Sequence, residues 1–168
     1  MLGAMSSVIA ALHALLDEVP VASLGVRAGE DVDVSLVPFL ALRAPRRFVL
    51  LVSELSAHTA ALRGAGRATL MVHRDTTADD PRDHHAVERA SLRCAATFLP
   101  RDDADARGIT AAWRERFPRV APMILGLKDF HFVELTPEPG GASFVQGFGR
   151  AWRISGDDLD VVEHVTGR

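Results

Sequence analysis

The stretch Lys128–Leu159, KDFHFVELTPEPGGASFVQGFGRAWRISGDDL, carries the pattern that decides the fold. An apolar run leads into the turn-forming TPEPGG. A second run follows, in which Phe144, Gln146, Phe148, Arg150 and Trp152 recur at every second position. A period of two puts those side chains on one face of a strand. Gly147 and Gly149 fall on the alternate positions and leave the main chain bare, as at a bend or where a ligand or another backbone approaches closely. Two readings of this row stand side by side: an aromatic and basic platform for a flat, anionic, conjugated ligand, or a barrel corner with core aromatics. Ser155-Gly156-Asp157-Asp158 then resembles a capping box and predicts a C-terminal helix over about 156–166, with Leu159, Val162 and Val165 inward.

Upstream, the pattern is one of short strands and tight connections. Val8, Leu12, Leu15 and Leu16 form the apolar stripe of an amphipathic helix over about 6–18, with Ser6 or Ser7 as its cap. The segment has no basic leader region, so it reads as a helix of the fold and not as a signal peptide. Strands are predicted at Val21–Arg27, Val32–Leu42, Arg47–Ser53, Ala68–His73 and Ala90–Leu99. Connections as short as those among the first three require antiparallel neighbours. Pro38 marks an edge or a bulge. FVLLV, at 48–52, predicts a strand buried on both faces. Residues 74–86 form a polar loop, Asp102–Phe117 a helix, and Val120–Leu127 a further short helix. The fold class expected is mainly β with flanking helices, an antiparallel barrel or sandwich in one domain over residues 1–168.

Composition narrows the function classes. A net charge of -3 with both signs interspersed gives no basic footprint for nucleic acid. No apolar run approaches the ~18 residues of a membrane span. The single cysteine, Cys94, excludes an internal disulfide and fits the cytoplasm; with no basic partner evident it reads as a small buried thiol. In VSELSAHTAALRGAG, Ser56 is a natural N-cap, with His58 and Thr59 in the first turn. A helix start presents free N–H groups, so Ser53, Ser56, His58 and Thr59 can grip a phosphate or a propionate, or serve as ordinary capping. His131, between two phenylalanines, reads as structural. His84-His85 is a weak metal candidate in a polar loop.

The order LLVSELSAHTAAL, RATLMV, RASLRCAATFLP, KDFHFVELTPEPGGASFVQGFGRAW and SGDDL resembles the pyridoxamine 5'-phosphate oxidase-like FMN-binding split β-barrel superfamily, and within it the haem-iron-utilisation branch. The resemblance implies a homodimer of split β-barrels with two cofactor sites along the subunit interface. In flavin-binding relatives the FMN phosphate lies at positions matching Ser35, Val37, Ser53, Ser56 and His58. An Arg-Lys pair of the oxidases is replaced here by Ala57 and His58, while Gln146, Gly147 and Arg150 echo their last strand. In haem-degrading relatives a histidine close to the C-terminus ligates the iron, and an aspartate before the penultimate strand hydrogen-bonds it. Asp129 matches that aspartate; the histidine would fall near Gly167 or Arg168, and His164 is the nearest substitute.

The reading is therefore a haem-binding protein that supports oxidative haem degradation or haem handling, with an electron donor the sequence does not identify. Asp129 is its tuning group, Arg150 a propionate contact, His164 the metal ligand, and Gly147, Phe148 and Trp152 flank the cofactor. The alternatives are an FMN-binding oxidoreductase using the same cleft, and a cofactor-free binding or interaction module.

Overall fold

Helix α1 (Leu2–Glu18) buries Val8, Leu12, Leu15 and Leu16 against a curled antiparallel sheet, the apolar stripe its sequence predicts. The computed structural model describes residues 2–75 and 84–165. The sheet comprises β1 (Val21–Ala28), β2 (Asp31–Pro38), β3 (Leu40–Leu42), β4 (Arg47–Ser53), β5 (Arg67–His73), β6 (Arg89–Leu99), β7 (Phe130–Val145), β8 (Ala151–Ser155) and β9 (Val161–His164). Its order is β2-β1-β5-β6-β7-β4-β3, with β8 on β7 and β9 on β8, and every paired neighbour is antiparallel. Helices α2 (Ala57–Ala65), α3 (Arg101–Ala106), α4 (Ile109–Arg116) and α5 (Ala121–Ile124) complete it. This is the expected split β-barrel, mainly β with flanking helices.

The continuous apolar run of β4 serves two cores. Phe48, Leu50 and Val52 join the main core under α1, while Val49 and Leu51 face Ile109, Trp113 and Phe132 beneath α3–α5. Pro38 closes β2, the strand at one edge of the sheet, where its missing N–H costs no ladder bond. Phe39 then separates β2 from β3, which the sequence joins into one strand.

Five other expectations are corrected. TPEPGG does not reverse the chain. β7 runs through it as one 16-residue strand, and the register with β6 jumps from Leu92↔Ala142 to Cys94↔Pro137, so the extra residues form a bulge. The aromatic row does not lie on one strand either. β7 ends at Val145, a turn occupies Gln146–Arg150 with Gly147 and Gly149 at positive φ (146° and 72°), and β8 begins at Ala151. The helix expected over 102–117 is divided into α3 and α4 by Gly108, which is left-handed at φ 71°.

The C-terminal helix over 156–166 is absent. Gly156 (φ 89°) and Leu159 (φ 57°) build a tight turn instead, and Val161–His164 pairs with β8 through Ile154↔Val162. β-branched Val161 and Val162 fit a half-buried strand better than a helix. At the other end, α1 starts at Leu2, so Ser6 and Ser7 lie within it and do not cap it.

The turn between β8 and β9 is held by a buried charge. Arg46 is fully buried (0% exposed) and donates from Nη1 to Asp17 Oδ1 at 2.6 Å, while its main-chain N–H donates to Asp157 O at 2.9 Å. Asp158 accepts the Ala44 N–H at 3.2 Å and lies 3.9 Å from Arg46 Nε. Arg43 also pairs with Asp17. Burial works to raise the pKa of the Asp17 carboxyl, but hydrogen bonds from Arg43 and Arg46 outweigh it and hold the group below the ordinary aspartate value. Replacing Asp17 with Asn leaves a guanidinium buried beside only a distant carboxylate. Because Asp17 is partly exposed and Asp158 remains, the expected loss is about 2–3 kcal/mol, under the usual cost of breaking a fully buried pair. Urea unfolding of Asp17→Asn measures it; a loss below about 0.5 kcal/mol, the size of an ordinary surface change, contradicts this role.

Candidate functional site

Strand register builds the first part of the site. Ser53 at the end of β4 pairs with Phe130, the first residue of β7, which sets Asp129 beside the turn leading into α2. Ser53 Oγ donates to Asp129 Oδ2 at 2.8 Å and accepts the Leu55 N–H at 3.1 Å. The Glu54 N–H donates to Asp129 O at 2.8 Å. Both the side chain and the main chain of Asp129 are thereby fixed, and its Oδ1 has no hydrogen-bond partner among the described residues. Thr59 is wholly buried and donates to Ser53 O at 2.6 Å, which locks the turn. Ser56 is the N-cap of α2 in extended conformation, with no capping bond from its hydroxyl.

His58 ties this helix to the edge strand through a 3.0 Å hydrogen bond between Nδ1 and Ser35 Oγ. Burial lowers its pKa, opposed by nearby Asp33, so the imidazole is neutral at physiological pH. A neutral ring does not replace the cations that flavin oxidases place on a phosphate. Val37 is buried in the main core, which leaves only its main chain on the edge strand for any ligand.

Sequence reasoning missed the pairings around His131. Its Nε2 lies 2.7 Å from Glu54 Oε1, which Arg63 also reaches at 2.5 Å, and the Arg63 guanidinium sits 4.0 Å from the centre of the Phe98 ring. Only the β4–β7 register brings Glu54 to His131, and no local spacing encodes it.

The remaining candidates gather at the opposite end of β7. Arg150 Nη2 donates to Gln146 Oε1 at 2.7 Å across the turn, whose tip, Phe148, is 82% exposed. Trp152 is the cross-strand partner of His164, and their rings meet edge-on at 4.8 Å. Trp152 packs against the main core, with its indole N–H buried and unpartnered. His164 is exposed, and neither ring nitrogen has a hydrogen bond among the described residues. Positions 167–168, where the family's histidine would fall, lie outside the described residues.

Ser35, Ser53, Ser56, His58 and Asp129 thus form one cluster, and Gly147, Phe148, Arg150, Trp152 and His164 another. They are separated by nearly the whole of β7, a strand path of roughly 45 Å. No group of three or more His, Cys, Asp or Glu suited to a metal occurs among the described residues. Cys94 is buried, its thiol pushed up to about 12 by burial and then by Glu138, and is no nucleophile. No helix among the described residues is long and apolar enough to cross a membrane.

The curled antiparallel sheet with its short second helix defines a split β-barrel. No protein-family model matches the chain. The haem oxygenase HutZ of Vibrio cholerae is 30% identical over 127 residues, covering 76% of this chain and 69% of HutZ. The crystal structure of Vibrio cholerae HutZ as a haem storage protein superposes with TM-score 0.67 at 22% identity, over 77% of this chain and 89% of that one. Campylobacter jejuni ChuZ gives TM-score 0.80 at 22% identity over 95% of this chain, which spans 63% of the ChuZ chain. A Listeria innocua pyridoxamine 5'-phosphate oxidase homologue gives 0.59 at 13% identity, over 83% and 99%. The chain belongs to the haem-utilisation split-barrel family that includes HutZ.

The half-buried setting of His58 has a pH signature. Its pKa when folded lies below the ordinary value of about 6.5, so as pH falls the unfolded chain takes up the proton first and stability is lost. Between pH 7 and 5 the wild-type Tm is expected to fall further than that of His58→Asn, as followed by circular dichroism. Parallel curves would show that the folded state imposes no such penalty.

Proposed function

We propose that this chain binds haem in a cleft between the two subunits of a homodimer and serves haem utilisation, by oxidative breakdown or by handling intact haem. One observation carries the reading: the Asp129 carboxylate, clamped by Ser53 and seated beside the Glu54 amide, keeps Oδ1 free to accept an imidazole N–H. Such an acceptor fixes the tautomer of a ligating histidine and raises its basicity. Family membership supports the reading, since HutZ is described both as a haem oxygenase and as a haem storage protein.

His164 has a free, exposed ring and suits the iron ligand, but it stands at the other end of β7 from Asp129. Asp129 would therefore act on His164 of the partner subunit. Val32, Val34 and Leu36 form an exposed apolar row on β2, as a subunit contact requires. Arg150 would pair with a propionate, and Phe148 at the tip of its turn would cover the ring. When bound, the iron porphyrin supplies the oxygen chemistry, with electrons from a donor yet to be identified. The lone buried thiol accords with a cytoplasmic setting.

A flavin in the same cleft is the second reading, favoured by the gathering of Ser35, Ser53, Ser56 and His58 at the start of α2. Absorption titrations with haem and FMN in parallel separate the two. A saturable Soret shift is expected, altered in band position by Asp129→Asn and weakened at least tenfold by His164→Ala. An unchanged spectrum in Asp129→Asn refutes the tuning role, and a flavin spectrum without a haem shift reverses the order of the readings. If neither cofactor binds at micromolar concentration, the chain is an interaction module.

The intersubunit arrangement has its own check. The wild type is expected to be a dimer by light scattering, and Val34→Asp with Leu36→Asp to give a folded monomer that no longer binds haem. A monomer that still gives the full Soret shift would place the whole site within one chain.

A further inference from the structure

We propose that the cleft between helices α3–α5 and the start of β7 is an anion site, separate from the haem cleft, that takes a compact phosphate-bearing small molecule. Its volume, about 700 Å³, lies in the range of small-molecule sites. Arg101, Arg114 and Lys128 line it against a single carboxylate, Asp105. In a chain whose net charge is -3, these four side chains make a local excess of two positive charges.

These cations are not spent on protein partners. Arg114 and Lys128 have no ion pair or hydrogen bond among the described residues. Arg101 is held in place by one bond, Nη2 to Phe130 O at 3.2 Å, with its guanidinium 5.3 Å from the Phe132 ring centre. The rest of its donor fork is uncommitted. A second, independent observation comes from Thr110 in the same lining, whose hydroxyl is shielded from solvent with no hydrogen-bond partner. Buried polar groups are ordinarily satisfied, and this hydroxyl would gain a partner if its side chain turned toward an acceptor in the cleft.

The chemistry of the donors selects the ligand class. Two guanidinium forks, an ammonium and a hydroxyl offer donors in several directions, which suits the tetrahedral array of acceptors on a phosphate better than a planar carboxylate. Leu125 and Phe130 give the cleft an apolar wall for an organic portion. The site adjoins Asp129 in sequence through Lys128 and Phe130, yet it is built from α3–α5 and not from the α2 turn that clamps Asp129.

Isothermal titration with inorganic pyrophosphate tests the proposal, with adenosine 5'-diphosphate as a second arm. The wild-type protein is expected to bind pyrophosphate at one saturable site per chain. Binding should weaken at least tenfold in Arg114→Gln with Lys128→Gln, and severalfold in Thr110→Val. Arg27→Gln, which removes a cation from the outer face of β1, should leave it unchanged. Tighter binding of the nucleotide would assign the apolar wall to its organic part, and equal binding would assign the site to phosphate alone. Circular dichroism melts confirm that the variants fold. No saturable heat at millimolar pyrophosphate overturns the proposal, and so does an equal loss in Arg27→Gln, which would mean general charge attraction. Displacement of pyrophosphate by haem overturns it too, because the cleft would then belong to the porphyrin. An intact pyrophosphate site in a protein that fails to bind haem would refute the haem reading alone.

Discussion

The continuity of β7 through Glu138–Gly141 is the constraint on which the rest of the molecule depends. The bulge lets one strand pair with β4 and β6 along its first half and with β6 and β8 along its second, so it joins both halves of the barrel. Backbone approach makes this possible. A Cβ at Gly141 would lie 2.9 Å from Glu138 O and 3.1 Å from Arg93 O, so only glycine fits where the strand folds over its own bulge. A hairpin at TPEPGG would have returned the chain toward Asp129. The bulge carries it away instead, and Arg150 and His164 end at the far side of the sheet.

That detour also explains which parts of the structure were legible in the sequence. The α1 stripe, the doubly buried β4 and the start of α2 after Ser56 were all readable, because each follows from local sequence pattern, although the Ser56 hydroxyl makes no capping bond. The bulge was not, since Pro and Gly favour a turn and a bulge alike; only the partner strand decides between them. The SGDD turn misled for a similar reason. Its residues match a helix cap, but Asp157 O accepts the Arg46 N–H, Asp158 accepts the Ala44 N–H, and Val162 pairs with Ile154. Tertiary partners 111 and 114 positions away in sequence overrode a local signal. The same holds at the site. Asp129, Ser53 and His58 were identifiable one by one, whereas the Ser53–Asp129 bond, the Ser35–His58 bond and the Glu54–His131 pair follow from register.

Electrostatics at the α2 turn bears on the choice of cofactor. A flavin phosphate is a dianion and needs compensating cations in a partly desolvated site. Ala57 is uncharged and half-buried His58 favours its neutral form, so what remains is serine hydroxyls and the N–H groups of a nine-residue helix. Haem makes a different demand at the same place. Its propionates can lie at the solvent edge, where little desolvation is asked of them, and its iron needs a neutral imidazole backed by an acceptor. The Asp129 carboxylate meets that second demand without any cation nearby having to move. The local charge pattern that weakens the flavin reading is therefore compatible with haem.

On the proposed haem reading, the placement of the two residue clusters would give a homodimer a functional reason. A ligand and its tuning carboxylate must come within hydrogen-bonding reach, and a curved strand path of roughly 45 Å separates them in one chain. Rearranging β7 to join them would break its pairing with β6 and β8 and expose Phe144 and Ile154, both buried in the main core. A second copy related by a twofold axis would supply the missing half at no such cost, because an isologous contact that set the end of one subunit against the start of the other would do so twice. Two sites per dimer would follow from that symmetry. The exposed row of Val32, Val34 and Leu36 on the edge strand then has a purpose: burying it would hold the two halves of each site in register.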